Sequence, residues 1–294
     1  FNELLKIISK NNISSIMVEN NLRFAGVRDL FFKDNKVYIS LITENKNGFS
    51  FNIYHSDLNY KQLSFELLFA SNTYFKNWSV SSGGRIEEFK NNKILFSLGT
   101  SDVPGTAQDK NTLLGKIISI DLDTKEFEVL SMGHRNPQGL EYLENKDLII
   151  NSEHGPKGGD EINFNYVKNG EIKNFGWDIA SYGAPYFGKD LYKKSHKKFG
   201  FVEPFKFFNP SIGISEIIFL EKENSFNKKN TLIISSLRAG SLYVLEINDE
   251  LNLIEKETRL NFGADRIRDL KYDYEYGVFF LLFEITPSVV ILKF

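Results

Sequence analysis

Cysteine is absent from the 294 residues, which excludes disulfide scaffolds, thiolate zinc sites and cysteine nucleophiles, and leaves the redox compartment open. No apolar run reaches the ~18 residues that a membrane-spanning helix needs. An excess of either charge is also missing: 36 Lys and Arg stand against 38 Asp and Glu, a net charge of −2. A general binder of nucleic acid or membrane surfaces needs a basic excess to meet phosphates, so that class is set aside. Neither a Gly-x-Gly-x-x-Gly dinucleotide loop nor a Gly-Lys-Ser/Thr phosphate loop occurs. The four histidines, His55, His134, His154 and His196, show no paired ligand spacing, which speaks against zinc.

What remains is an ordinary globular composition, 41% hydrophobic and 25% charged, not a disordered one. Aromatic side chains are dominated by 27 Phe against 2 Trp. Phe can replace other large apolar residues in a core without changing the architecture.

The chain contains a repeat. A short apolar stretch, a polar turn and a second apolar stretch occur as RDLFFKDNKVYISLI from Arg28 and GRIEEFKNNKILFSLGT from Gly84. They return as QGLEYLENKDLIINSEH from Gln138, SEIIFLEKENSFNKKNTLIISSL from Ser215 and RDLKYDYEYGVFFLLFE from Arg268. The starts lie 56, 54, 77 and 53 residues apart. Each copy reads as two antiparallel strands around a turn. Further pairs, such as Gly115–Met132 and Gly240–Glu257, alternate apolar and polar residues as half-buried strands do.

Two pairs in every ~50 residues make a four-stranded antiparallel blade. The expectation is an all-β, six-bladed β-propeller forming a single domain over residues 1–294, with its first and last blades incomplete. A β-sandwich is the competing architecture, disfavoured by the regular spacing. Residues 5–19 read as the second strand pair of a blade whose first pair is missing, and SVVILKF reads as a third strand without a fourth. Missing N-terminal strands would close the ring, because an open edge strand is a liability. The interval from Asp160 to Pro210 reads as a long inter-blade loop, with a basic run (Lys193, Lys194, Lys197, Lys198) that is read as solvated.

Polar clusters interrupt the strands at GHRNPQGL (133–140), SEHGPKGGDEIN (152–163), SLRAG (236–240) and DRIRD (265–269). They bring Arg135, Arg238, Arg266 and Arg268 to equivalent blade ends. Guanidinium groups aimed at one point repel unless they meet an anion, and they suit carboxylates geometrically. The alternative is that each arginine pairs with a nearby acid such as Asp265 or Asp269. Glu153, Asp160 and Glu161, with the glycines between them, form an acidic loop of the kind hard cations such as calcium accept.

At these residues the sequence resembles the glucose/sorbosone dehydrogenase family, soluble six-bladed quinoproteins that include aldose sugar dehydrogenases. The resemblance rests on GGRI (83–86), AQDKNTLLGKIISID (107–121), GHRNPQGL, SEHGPKGGDEIN, NFGW (174–177), EPFKFFNPSIGIS (203–215), SLRAGSLY and RIRD, in family order. It implies a pyrroloquinoline quinone (PQQ) cofactor and Ca2+, with hydride passing from an aldose C1 to the quinone and electrons to an external acceptor. It also implies a periplasmic or secreted protein, and the charge balance and short apolar runs above lead to the expectation of no nucleic-acid partner and no membrane span. Residue by residue, Arg135, Asn136, Arg238, Arg266 and Arg268 match cofactor contacts. The carbonyls of Gly155 and Pro156 match ligands of the cofactor-bound calcium, and Glu161 a ligand of a structural one. Asp160 and Phe208 fall at the sugar pocket, Phe208 where the family usually has Trp.

One departure outweighs the matches. The family's catalytic histidine stands four residues before the arginine of the GGR motif, and here that residue is Ser81. The usual Gly-Asp of the same blade is Gly99-Thr100. A serine at its ordinary pKa cannot take the sugar hydroxyl's proton, and loss of a general base costs a factor of ~10² to 10⁴. Asp160 is the nearest substitute base by sequence, with a water relayed by Ser81 behind it. The rival function is a non-catalytic propeller that binds a sugar or a protein partner.

Overall fold

The computed structural model describes residues 23–294 apart from Tyr60, Asn169, Lys189, Asp190 and Ala239. The chain divides into two compact units, Phe1–Asn136 and Pro137–Phe294. In the first unit, β1 (Arg23–Lys33), β2 (Lys36–Asn45), β3 (Gly48–Asp57) and β4 (Glu66–Ala70) form one antiparallel meander. A second meander is built from β5 (Gly83–Phe89), β6 (Lys93–Leu98), β7 (Lys116–Asp121) and β8 (Phe127–Met132).

In the second unit, β9 (Pro137–Leu143), β10 (Leu148–Glu153) and β11 (Asp160–Tyr166) are completed by β13 (Lys206–Phe208), after the two-residue strand β12 (Lys173–Asn174). The next sheet runs β14 (Ile214–Leu220), β15 (Asn230–Ser236), β16 (Ser241–Ile247) and β17 (Ile254–Asn261). The last holds β18 (Ile267–Asp273), β19 (Val278–Phe283) and β20 (Ser288–Leu292).

The repeat starts Arg28, Gly84, Gln138, Ser215 and Arg268 fall in the first strands β1, β5, β9, β14 and β18. These are blades of the expected antiparallel kind, but five sheets, not six, occur among the described residues. The strand pair expected at residues 5–19 lies outside them. The closing sheet has three strands, as SVVILKF suggested.

A further correction concerns the long interval. Residues 167–205 do not link two blades; they connect β11 to β13 inside the third sheet, where Asp160 pairs with Phe208 and Ile162 with Lys206. A three-residue strand, KFF, is too short to carry a readable alternation. All four lysines of the basic run are exposed, and Lys194 also turns its ammonium to the carbonyls of Ser181 and Gly183.

Phenylalanine does much of the packing in the first unit. Phe51 and Phe96 are fully buried, with Phe51 5.5 Å from Phe75 and 6.4 Å from Phe96 between ring centroids. Burying one such side chain contributes roughly 1.5–3 kcal/mol. In the second unit β14, ISEIIFL, is buried along its whole length, as expected of a strand covered on both faces. Among the described residues no helix is long and apolar enough to cross a membrane.

Candidate functional site

In an up-and-down meander, the first and third strands begin at the end where the second finishes. The candidate residues collect at that end of their own sheets. In the first unit it is made by residues 79–83 before β5, 99–102 after β6 and 133–136 after β8. Ser81 is buried, at 3% exposure. Its amide donates to Ser79 Oγ (2.9 Å) and its carbonyl accepts from the Ser101 amide (2.8 Å).

Ser101 and Asp102 both take left-handed backbone, with φ of 50° and 56°. That turn presents the Asp102 carboxylate to two groups. Ser79 Oγ donates to Oδ2 at 2.5 Å, and the Arg135 guanidinium lies 3.7 Å from Oδ1. Arg135 in turn is fixed through its carbonyl, which accepts the Thr100 amide at 2.9 Å. Asn136 is buried and accepts the Gly83 amide on Oδ1 at 3.0 Å. Ser81, Arg135 and Asn136 therefore share one hydrogen-bonded corner. Asp102 belongs to it as well, and sequence reasoning passed over it; its place two residues beyond Thr100, where the family carries an acid, was the available signal.

The second unit holds the other candidates. Asp160, at the start of β11, is 1% exposed and takes hydrogen bonds on both oxygens. Oδ1 accepts from Ser211 Oγ (2.9 Å) and the Gly155 amide (3.1 Å), and Oδ2 from the amides of Gly213 (2.8 Å) and Ile214 (3.0 Å). Burial alone would raise its pKa, but hydrogen bonding and the charge of His154, with the Ile214 and Ser211 bonds, hold it below the usual carboxylate value. A carboxylate so committed is a poor proton acceptor. In this structure Asp160 ties the 154–160 loop to the start of β14.

That loop is packed without slack. A Cβ at Gly155 would lie 2.1 Å from the Gly159 carbonyl oxygen. Gly159 has φ of +73°, and a Cβ there would meet the Gly183 nitrogen at 2.3 Å. Lys157 and Ala184 exchange both backbone hydrogen bonds at 2.9 Å, so Gly155 and Pro156 sit in a loop clamped to the long connection. Phe208 closes β13. It is 7% exposed, belongs to the core cluster and lies 5.5 Å from the Tyr243 ring.

Glu161 lies opposite Glu153 across the β10–β11 ladder, and both are buried. Burial first, and then the charge of Glu153, raises Glu161 well above the usual carboxylate range. His196 Nε2 is 3.5 Å from Glu161 Oε1, but burial lowers that imidazole, so it is neutral at neutral pH and cannot balance the charge. Neither ring nitrogen of His196 has a hydrogen-bond partner, and the same holds for Asn163 Oδ1. Asn163 Nδ2 donates to Glu153 Oε1 at 2.7 Å, and two buried carboxylates side by side suit a shared proton or a cation. Glu153 and Glu161 are the residues that would hold a calcium ion, although no group of three or more His, Cys, Asp or Glu side chains converges among the described residues.

The arginines of the last turns divide. Arg238 is exposed. Arg266 and Arg268 come together on one acid that sequence reasoning missed: Glu284 Oε2 accepts from Arg266 Nε (3.0 Å), Arg268 Nε (3.0 Å) and Arg268 Nη2 (2.5 Å). The acid is therefore neither Asp265 nor Asp269. Asp265 instead accepts the Ile285 and Thr286 amides at 2.8 and 2.9 Å. Register was the signal: β18 and β19 pair Ile267 with Phe283, which sets residue 284 across from the arginines. The guanidiniums fit an anionic ligand, which would have to replace a carboxylate already in place.

The sequence model described as Glucose / Sorbosone dehydrogenase matches residues 25–289. The chain belongs to the glucose/sorbosone dehydrogenase family. Within curated members and solved folds, the aldose sugar dehydrogenase YliI of Escherichia coli strain K12 is 29% identical over 203 residues, 64% of this chain and 53% of that protein. The chain spans about half the length of the curated relatives it matches. A crystal structure of a glucose dehydrogenase superposes with a TM-score of 0.79 at 24% identity, over 92% of this chain and 83% of the other. The PQQ-bound form of aldose sugar dehydrogenase from Streptomyces coelicolor gives 0.62 at 20% identity, over 85% and 69%. At these identities the likeness is one of fold, the β-propeller of antiparallel blades.

Proposed function

We propose that this glucose/sorbosone dehydrogenase family member is a PQQ-binding, aldose dehydrogenase-like oxidoreductase whose proton acceptor differs from the family's. The observation that carries the reading is the corner of the first unit, where the Arg135–Asn136 turn is hydrogen-bonded to the loops holding Ser81 and Asp102. Bound there, a quinone would supply a two-electron acceptor for an aldose, while the chain's own residues bind, orient and handle the proton. Arg135 offers charge to a carboxylate of the cofactor and the buried Asn136 fixes the turn that carries it. The Glu153–Glu161 step would take a calcium ion. Within the second unit, Gly155 and Pro156 offer carbonyls on a clamped loop, and the resemblance to the family is what proposes Arg238, Arg266 and Arg268 as cofactor contacts.

Ser81 occupies the family's base position without a basic atom. The carboxylate bound to the same loop is Asp102, through Ser79, and its side chain is 55% exposed. Being exposed where Asp160 is buried, Asp102 is the proposed acceptor of a substrate proton. On this reading the protein works in the periplasm or outside the cell and passes electrons to a separate acceptor.

A non-catalytic sugar or protein binder is the second reading, favoured by the buried Ser81 and by the acid already seated on Arg266 and Arg268. Reconstitution with PQQ and calcium, followed by dye reduction over a panel of aldoses, separates the two. Turnover supports the enzyme; binding of PQQ without turnover supports a degenerate site; absence of PQQ binding sinks the cofactor reading.

A further inference from the structure

The stretch AQDKNTLLGKIISID is part of the family pattern, yet none of the roles above uses it. The second of its two lysines is unusual. Lys116 opens β7 and is 1% exposed, and its ammonium donates to three backbone carbonyls: Leu114 (2.9 Å), Thr106 (3.0 Å) and Ala107 (3.1 Å). A buried ammonium is tolerated only when its protons are satisfied. Here it gathers loop carbonyls much as a bound cation does.

Those carbonyls lead back to the candidate site. The Ala107 oxygen that meets Lys116 also accepts the Gly133 amide at 3.1 Å, and Gly115 accepts the His134 amide at 3.2 Å. No side chain fits between these strands of contact, because a Cβ at Gly115 would stand 2.7 Å from both Ala107 Cα and the His134 oxygen. His134, fully buried, is held in turn by Ser131 Oγ at 2.8 Å from Nε2. On the other side, Thr106 Oγ1 donates to the Val103 carbonyl (2.7 Å), the Val103 amide to Thr100 (3.0 Å), and the Thr100 amide to Arg135 (2.9 Å). The circuit is closed from Lys116 through residues 100–107 to 133–135.

We infer that Lys116 is a positioning residue, an internal cation whose three carbonyl contacts set the Gly133–Asn136 turn and so the aim of Arg135. The link to ligand binding rests on the function proposed above; the structural part does not. Burial lowers Lys116 to about 8, with Asp109 opposing as the nearby charge that acts on it. Asp102, His134 and Arg135 are the other titratable groups on the segments bound into the circuit. Because burial disfavours the charged form, opening the circuit lets Lys116 take up a proton above about 8, so opening grows more costly as pH rises from there.

The test is hydrogen exchange on the full chain, with rates corrected for the intrinsic effect of pH, on peptides covering residues 105–116 and 131–136. Lys116→Met should lower protection there about tenfold, with the β2 and β3 strands unchanged. Wild-type protein should show protection that rises as pH climbs from about 8 toward the solvated value of 10.5, because opening then takes up a proton, and the variant should show no such rise. This second measurement stands even if the variant folds poorly. PQQ affinity, measured by calorimetry, should fall about tenfold in the variant, as the loss of a charge-assisted contact does. Reduced protection with unchanged affinity leaves Lys116 as the positioning residue of the turn and sinks the cofactor role of Arg135. Unchanged protection in the variant, together with a flat wild-type profile from pH 7 to 10, overturns the inference.

Discussion

Glu161 lies directly across the β10–β11 ladder from Glu153, two carboxylates brought to one buried register position. Like charges in a low-dielectric interior are costly unless a proton or a cation joins them. Calcium should therefore raise the melting temperature of the wild-type chain. A ligand at a hundredfold excess over its Kd adds ~2.7 kcal/mol. Glu161→Gln should abolish that response while leaving the metal-free protein at least as stable, because the amide removes the repulsion. No calorimetric heat and no thermal shift in the wild type would rule the site out.

Asp160 gives a prediction of the opposite kind. Its two oxygens accept four hydrogen bonds from the 155, 211, 213 and 214 positions. Asparagine would turn a donor toward backbone amides that also donate, so Asp160→Asn should cost about 2–4 kcal/mol in urea unfolding. The pH sign follows from the lowered folded pKa. The stabilisation is complete above the unfolded value of 3.8 and is lost as pH falls through the folded one. The wild-type advantage should therefore shrink in acid, and an advantage that grows there would contradict this assignment.

The blades were legible because each first hairpin repeats an apolar–turn–apolar pattern, and its strands are long enough to show it. β13 was not legible: three residues, KFF, gain their place from pairing with β11, a contact across the long connection. The candidate residues were found by motif, yet their partners were not. Glu284 and Asp102 lie far in sequence from Arg268 and Ser79, and only strand register or a left-handed turn brings them close. The burial of Phe208 was not legible for a related reason, since a motif fixes backbone position but not which side of a short strand faces the core.

Ser81→His tests the missing base. If PQQ binds and only the proton acceptor is lacking, the variant should gain part of the ~10² to 10⁴ that general-base catalysis supplies. Recovery should stay partial, because Ser81 is buried and imidazole must displace its surroundings. Asp102→Asn in the unmodified background is the companion measurement. If wild-type turnover exists and survives Asp102→Asn, the proton goes elsewhere.

Glu284 sits on both Arg266 and Arg268, so it is the group an anionic ligand must displace from that pair. The three side chains are each about 40% exposed, and ion pairs so placed contribute at most about 1 kcal/mol after solvent screening. Glu284→Gln should accordingly cost little stability. Its backbone turn stays anchored, because Asp265 holds the next two amides. Removing the competing charge should instead tighten binding of a carboxylate-bearing quinone about threefold to tenfold, on the scale of one charge-assisted hydrogen bond. Burial opposes ionisation of Glu284, but Arg266 and Arg268 win and lower its pKa. The wild-type pairing is therefore complete above the unfolded value of 4.5 and fades as pH falls through the folded one. Affinity of the wild type should approach that of the variant at the acid end of this window and fall below it at neutral pH. Equal affinities at pH 7 would mean that the ligand does not use this arginine pair.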